Sequence, residues 1–420
     1  MATTVIFGAG IIGVSTAYYL SERQPGSSIH LVEPSPELFS SASGFAGGFL
    51  ARDWFAPATA ELGALSFDEH RRLAEAHGGA EKWGYTSSTS ISYSPASLSG
   101  KRAKGRGDDW LRAGTSRADA AAAAFEASES SAPSWLRRDA GDQVELISSE
   151  GTTAQLDPRK LCHFLLQECL ARGVHLHHPA KAISAAMLDV RGELSSVRVA
   201  DLASSTETDV PCTRVVVAAG VWSPRVFATL FPRSGLALPV TSLAGHSLVV
   251  RSPRWGGDGE CHAVFATGGA FSPEVFSRAG GEIFVGGLNS AAIPVPEVAT
   301  GGGVSAAAVA QLKETTRKLL GPAVGAGSTG DGEDKDDLVV LREGLCFRPV
   351  TPAGVPIVSR VEDEKLGPGV ATRPGAEGGV FVAAGHGPWG ISQSLGTGVV
   401  LAEMAQGRKL SADVSALKLR

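Results

Sequence analysis

The sequence predicts an α/β protein: a Rossmann-type dinucleotide-binding domain assembled from separated segments, with an α+β domain on an antiparallel sheet inserted between them. Three observations predict this. A β-branched run, Thr4–Phe7, leads into Gly8-x-Gly10-x-x-Gly13 and then a helix-forming stretch. Two later apolar runs, RVVVAAG from Arg214 and GVFVAAG from Gly379, read as buried strands that end in small residues. Between 236 and 300 the pattern changes to ALPVTSLAGHSLVV, CHAVFAT and GEIFVGGLNS, separated by Gly, Pro and Ser clusters, as antiparallel strands are.

Composition narrows the function classes. The chain has 420 residues, 43% of them hydrophobic, enough for two or three domains with large cores. A net charge of −5 gives no electrostatic case for nucleic acid or an anionic membrane. No apolar run reaches the roughly 18 residues of a membrane span. The five cysteines form no C-x-x-C pair and have no zinc spacing, so no metal site is expected and a reducing compartment is. The first residues enter a strand with no leader-like segment, and the last, ALKLR, are not a peroxisomal signal. A cytoplasmic location is the expectation.

Taking the elements in order, the first is the most informative. The glycine motif follows a strand and opens a helix over Ile11 to Arg23, and a second strand, Ile29–Val32, ends at Glu33, 20 residues beyond Gly13. That is the full context of a dinucleotide fingerprint. Gly8 permits the tight turn, Gly10 lets backbone N–H groups approach a diphosphate, and Gly13 lets helix and strand pack closely. The helix start adds unpaired donors from the Ala9, Ile11 and Ile12 region and a partial positive charge. Glu33, followed by Pro34, can accept from both hydroxyls of a ribose and would repel a 2′-phosphate.

The next loop, SSASGFAGGFLARDW (Ser40–Trp54), is too rich in Gly and Ser for a regular strand–helix unit and can wrap a long cofactor with Ser41, Ala42, Ser43, Gly47 and Gly48. From here the chain resembles the FAD-dependent amine and amino-acid oxidase superfamily of glycine oxidase, D-amino-acid oxidase and sarcosine oxidase. The GTTAQ segment (Gly151–Gln155) with Pro158 is shared with a little-characterised eukaryotic branch of oxidoreductases. The resemblance implies an FAD-binding domain over 1–60, 148–235 and 345–420 and a substrate domain over 61–147 and 236–344. Residues 95–143 and 321–337, biased in composition, read as flexible insertions, partly helical around 118–127.

A helix over Glu61–His77 and a strand in TSSTSISYS follow the loop. Asp157 and Pro158 then mark the start of another helix, with Leu161, Leu165, Leu166, Cys169 and Leu170 on one stripe, and Gly173 ends it. His175 and His177 share a strand face that could hold a metal, but no third ligand is near in sequence, and ordinary strand histidines are the expectation. The 214–224 run is similar to the second cofactor-contacting strand of the superfamily, with Gly220 allowing close approach and Trp222 capping the strand end. No lysine occurs between Leu236 and Ala310, where sarcosine-oxidase-like proteins place one over the flavin to promote reaction with oxygen.

Two C-terminal stretches carry the chemistry. GLCFRPVTP (Gly344–Pro352) is similar to the FRPVxP of D-amino-acid oxidases, where the matching arginine grips the substrate carboxylate. Arg348 can offer a planar two-donor fork for that group; the alternative is a structural ion pair with a buried acid. If extended, residues 346–348 put Cys346 on the same face as Arg348. In the covalent branch of the superfamily a cysteine near this place bonds the flavin 8α carbon. The rest of the motif follows the non-covalent branch, so non-covalent FAD is expected, with a bond to Cys346 left open. The turn Gly385-His386-Gly387-Pro388-Trp389-Gly390 resembles the GHGxxG of D-amino-acid oxidases and leads to a helix from Ile391 whose start is expected to face the flavin. Gly396 and Gly398, costly inside a helix at about 1 kcal/mol each, imply packing against something flat. His386 is either catalytic or a turn residue bonded locally. The activity implied is hydride transfer from the Cα–H of a small amine or amino acid to flavin N5, with oxygen as acceptor. The alternatives are an opine or secondary-amine dehydrogenase using another acceptor, and a flavin-binding regulatory protein with little turnover.

Overall fold

The computed structural model describes residues 2–96, 128–129, 132–188, 191–267, 271–321 and 337–419. The helix expected around 118–127 and most of the acidic stretch, 322–336, lie outside the described residues. Among the described residues no helix is long and apolar enough to cross a membrane.

Two large sheets carry the architecture. The first has six strands in the order Ile357–Val361, Gly379–Ala384, Arg214–Val217, Thr4–Phe7, Ile29–Val32 and His175–His177. All neighbours are parallel except the Ile357–Val361 edge strand. Every residue of the three central strands is buried, as expected of β-branched runs covered on both faces. The Ile11–Ser21 helix crosses between the first two strands, buried at every position from Ile11 to Leu20. The Pro158–Ala171 helix starts where the sequence indicated: Asp157 accepts from the Arg159 and Lys160 N–H groups. Its expected stripe needs one correction, because Leu170 points to solvent at 43% exposure while Leu161, Leu165, Leu166 and Cys169 are buried.

The C-terminal helix runs over Ser394–Ala405 rather than from Ile391, because residues 387–389 first form a short 3₁₀ turn. Its glycines also have a different explanation from the expected flat partner. A Cβ on Gly398 would lie 2.8 Å from the Ser15 backbone, and one on Gly396 would lie 2.9 Å from the Leu62 carbonyl oxygen. The two glycines therefore let this helix wedge between the Ile11–Ser21 and Pro57–His77 helices. Their propensity cost is offset by backbone-to-backbone packing and by the Gly396 N–H donating to Ser66 Oγ at 3.0 Å.

The second sheet has ten strands. Eight of them run in the order Val339–Val350, Thr241–Arg251, Glu282–Ser290, Glu274–Ser277, Cys261–Ala266, Thr86–Ser94, Gln143–Leu146 and Ser128–Glu129, and Phe49–Ala51 and Thr153–Gln155 join off this path. The Cys261–Ala266 and Thr86–Ser94 strands pair in parallel. The glycine-rich 40–54 loop is more regular than expected, because Phe49–Ala51 forms a strand paired with Thr153–Gln155 of the GTTAQ segment. Residues 345–350, grouped by sequence with the FAD-binding segments, are the end of the edge strand of this second sheet. Ala180–Met187, Leu194–Asp201 and Glu207–Pro211 form a separate three-stranded sheet that the sequence reading left unassigned.

Candidate cofactor and substrate site

A cavity of about 860 Å³ opens where the two large sheets meet, within the roughly 300–1,000 Å³ usual for small-molecule sites. Of the residues singled out in the sequence, Gly8, Gly10, Ile11, Ile12, Glu33, Pro34, Ser41, Ala42, Ser43, Gly47, Gly220, Trp222, Cys346, Arg348, His386, Gly387, Gly390 and Ile391 line it. Ala9, Gly13, Gly48, Gly385 and Trp389 do not; they sit behind the wall. Trp389 packs on Phe55 instead, with ring centroids 4.8 Å apart.

The glycine motif explains one end of the cavity. A Cβ on Gly13 would lie 1.9 Å from the Gly8 carbonyl oxygen, so only glycine lets the helix seat on the strand. Gly8 has φ +102°, and a Cβ there would come within 2.6 Å of the Ala218 oxygen. Gly10 differs: a Cβ would meet only the Ser43 hydroxyl, at 3.0 Å. Its face is open to the cavity, as a diphosphate would require. The Ile11 N–H, first in the helix, donates to Ser43 Oγ at 2.9 Å. The Glu33 carboxylate is held by two backbone donors, Ala9 N–H and Ser35 N–H, each at 3.0 Å. Burial nevertheless pushes its pKa up, and those two hydrogen bonds only partly counter it. The Ala9 and Ile11 N–H groups, expected to be unpaired, are thus taken by Glu33 and Ser43; the open face of Gly10, the Ser43 hydroxyl beside it and an acid a strand away are what fits the diphosphate and ribose of a dinucleotide.

The loop between these ends is tied to the second sheet. Ser41 Oγ accepts from the Phe347 N–H at 3.2 Å. Arg278, 3% exposed, donates to the Ala46 and Gly47 carbonyls at 3.0 and 2.8 Å. Arg342 lies 5.2 Å from the Phe45 ring centroid. Sequence reasoning missed both arginines, whose partners lie far off in sequence and are announced by no local motif. Trp222 lies in the 3₁₀ turn after the Arg214–Val217 strand; its Nε1 donates to the Pro296 carbonyl at 2.8 Å and its ring centroid is 6.2 Å from that of Phe347.

At the far end, Arg348 extends over Gly245 of the neighbouring strand. Its Nη1 donates to Asn289 Oδ1 at 2.8 Å. Among the described residues no carboxylate pairs with it, and its partner is this neutral amide and not the buried acid weighed as the alternative. Cys346 is buried and opposite Gly245 in the ladder, on the same side as Arg348. Asn289 and Gly245 were also missed; the only sequence signals were a polar residue late in an apolar strand and a glycine in LAGH.

His386 is buried and its Nε2 is 3.1 Å from Thr397 Oγ1. Burial lowers its pKa to about 3. Burial thus favours the neutral ring, whose partner Thr397 lies in the Ser394–Ala405 helix. His70, whose Nε2 is 2.9 Å from the Ile391 carbonyl, and His30, against His175 and His177, are held near 4, each mainly by burial. Among the described residues no group of histidine, cysteine and acidic side chains is arranged to hold a metal ion. These histidines give the fold a pH dependence. In the unfolded chain they protonate near 6.5, whereas in the fold they stay neutral to about 4 or 3. Between these values the unfolded chain binds more protons, so their contribution is complete above about pH 6.5 and is lost as pH falls. Glu33 acts in the opposite sense, its ionisation costing stability as pH rises above the ordinary carboxylate value. The thermal midpoint, followed by calorimetry, is expected to fall from pH 6.5 to 4, less steeply in His386→Gln; parallel profiles would remove His386 from this account.

Residues 3–404 match the family described as FAD dependent oxidoreductase. The protein named "Putative oxidoreductase C1F5.03c" of Schizosaccharomyces pombe is 25% identical over 434 residues, covering 98% of this chain and 96% of that one. Glycine oxidase from Geobacillus kaustophilus is similar in structure with a TM-score of 0.70 at 20% identity, over 100% of this chain and 98% of that one. L-amino acid deaminase from Proteus vulgaris has a TM-score of 0.70 at 16% identity, over 100% and 96%. At these identities the two structural likenesses are of fold.

Proposed function

Because this chain belongs to the family of FAD-dependent oxidoreductases, we propose that it oxidises the C–N bond of a small amine or amino acid held by its carboxylate on Arg348. The observation that carries this reading is a guanidinium with no carboxylate partner among the described residues, facing the same cavity as the glycine turn and Glu33. The solved structures named for glycine oxidase and L-amino acid deaminase support an amino-acid substrate.

FAD, when bound, supplies the two-electron acceptor. The chain's own residues do the rest. The backbone N–H groups at the start of the Ile11–Ser21 helix hold the diphosphate, and Glu33 accepts from the ribose hydroxyls. Arg348 fixes the substrate carboxylate and thereby the direction of its amine. The apolar walls exclude water. His386, its pKa lowered by burial, is neutral at neutral pH and serves the turn; a substrate amine arriving neutral needs no base from the protein. FAD is held without a covalent bond in this reading. Acid precipitation tests that: flavin should stay in the supernatant, whereas a yellow pellet would assign a thioether at Cys346.

The reaction itself is tested under anaerobic conditions with carboxylated amines. Loss of the visible flavin absorbance is expected with at least one of them. No bleaching across a broad panel would favour a flavin-binding protein without turnover. Admitting air then decides the acceptor. Among the described residues lining the cavity the lysine is Lys181, next to Ala180, whose N–H donates to the Glu33 carbonyl, and no lysine occurs over 236–310. Slow peroxide formation, with faster turnover on an artificial acceptor, is the outcome that would favour a dehydrogenase.

A further inference from the structure

We propose that Asn289 is the second half of the carboxylate site, fixing the Arg348 guanidinium and presenting its own amide N–H groups to the same anion. This rests on the reading of Arg348 above. Guanidinium nitrogens only donate, so the atom facing Arg348 Nη1 at 2.8 Å is the Asn289 oxygen. The amide nitrogen is thereby turned away from the arginine. Among the described residues that nitrogen has no hydrogen-bond partner, and Asn289 lines the cavity.

The sheet supplies the geometry. Three adjacent strands contribute, with Gly245 paired to Asn289 on one side and to Cys346 on the other. Arg348, two residues beyond Cys346, lies on the same face. A Cβ on Gly245 would be 3.0 Å from Arg348 Nη2 and 3.0 Å from Asn289 Oδ1. The glycine thus lets two planar groups lie side by side over bare backbone. What remains facing the cavity is a row of donors, the unused guanidinium N–H groups and the Asn289 NH₂, with no acceptor among them. Two oxygens sharing one negative charge match such a row. Because the partner of Arg348 is a neutral amide, the guanidinium keeps its full charge for the ligand; an aspartate there would cancel it.

The test uses Asn289→Asp and Asn289→Ala in the FAD-loaded enzyme, with glycine against methylamine and proline against pyrrolidine. Steady-state kinetics and calorimetric titration of each compound give KM and Kd. In N289D, KM and Kd for the amino acids should rise about 10- to 100-fold, the loss of a charge-assisted contact. The carboxylate-free amines should bind unchanged or tighter. N289A should show a rise of the same kind at the low end of that range, roughly tenfold, from one amide hydrogen bond to an ionised carboxylate. Equal losses on both members of each pair, or unchanged amino-acid binding in N289D, would overturn the assignment. If N289D fails to hold flavin, N289A and Asn289→Ser carry the same comparison. Arg348→Ala, measured alongside, separates the two claims. Amino-acid binding unchanged in R348A sinks the reading of Arg348, whereas binding weakened in R348A but not in N289D sinks only that of Asn289.

Discussion

Gly13→Ala should purify without flavin colour and unfold at a lower temperature than the parent protein. The added methyl would sit 1.9 Å from the Gly8 carbonyl oxygen, so helix and strand must part. They have no free direction in which to do so. Gly8 is itself wedged against Ala218, and the helix is buried from Ile11 to Leu20 beneath the Ser394–Ala405 helix. Overpacking in such a place costs about 1–3 kcal/mol. The shift also carries the helix start away from the Ala9 N–H bond to Glu33 and the Ile11 N–H bond to Ser43, so diphosphate and ribose contacts fail together. Gly10→Ala is the informative contrast. Its methyl meets a single movable hydroxyl, so the melting temperature should hold while flavin affinity drops. Flavin absorbance per protein and melts with and without added FAD measure both. A Gly13→Ala protein that keeps its flavin at the parent ratio would remove the glycine turn from the cofactor site.

The contrast between those glycines also marks what the sequence could reveal. Gly8, Gly13, Glu33 and the buried strands were legible because their constraints are local: a turn, a helix start and a β-branched run lie within forty residues. Arg348 was legible only through its resemblance to a family motif. Its partners were not, since Asn289 and Gly245 lie 59 and 103 residues away and meet it only through strand register. The same holds for Arg278, whose carbonyl partners are 231 and 232 residues distant. Gly396 and Gly398 show the opposite failure. Their cost inside a helix correctly signalled close packing, but sequence could not say that the neighbours were two helices. A propensity penalty reports that something approaches the backbone and says nothing of its chemistry.

Arg348→Ala should leave the flavin bound and raise KM for carboxylated amines about 10- to 100-fold, the equivalent of a charge-assisted hydrogen bond worth roughly 1.5–3 kcal/mol. The separation of effects follows from the layout. Arg348 touches Asn289 and lies over Gly245, while the glycine turn and Glu33 are built from the first sheet and keep all their bonds without it. The strand itself should survive, because its backbone pairing along Thr241–Arg251 and the burial of Phe347 do not use the guanidinium. An amine lacking a carboxylate should be indifferent to the substitution, since it forfeits nothing. Arg348→Lys should recover only part of the affinity, because an ammonium keeps the charge but loses the planar fork. Ranking the parent, lysine and alanine proteins on one amino acid and its decarboxylated counterpart makes the claim quantitative: three graded values for the first and one shared value for the second. Graded losses on both compounds would mean that Arg348 shapes the cavity rather than reads the anion.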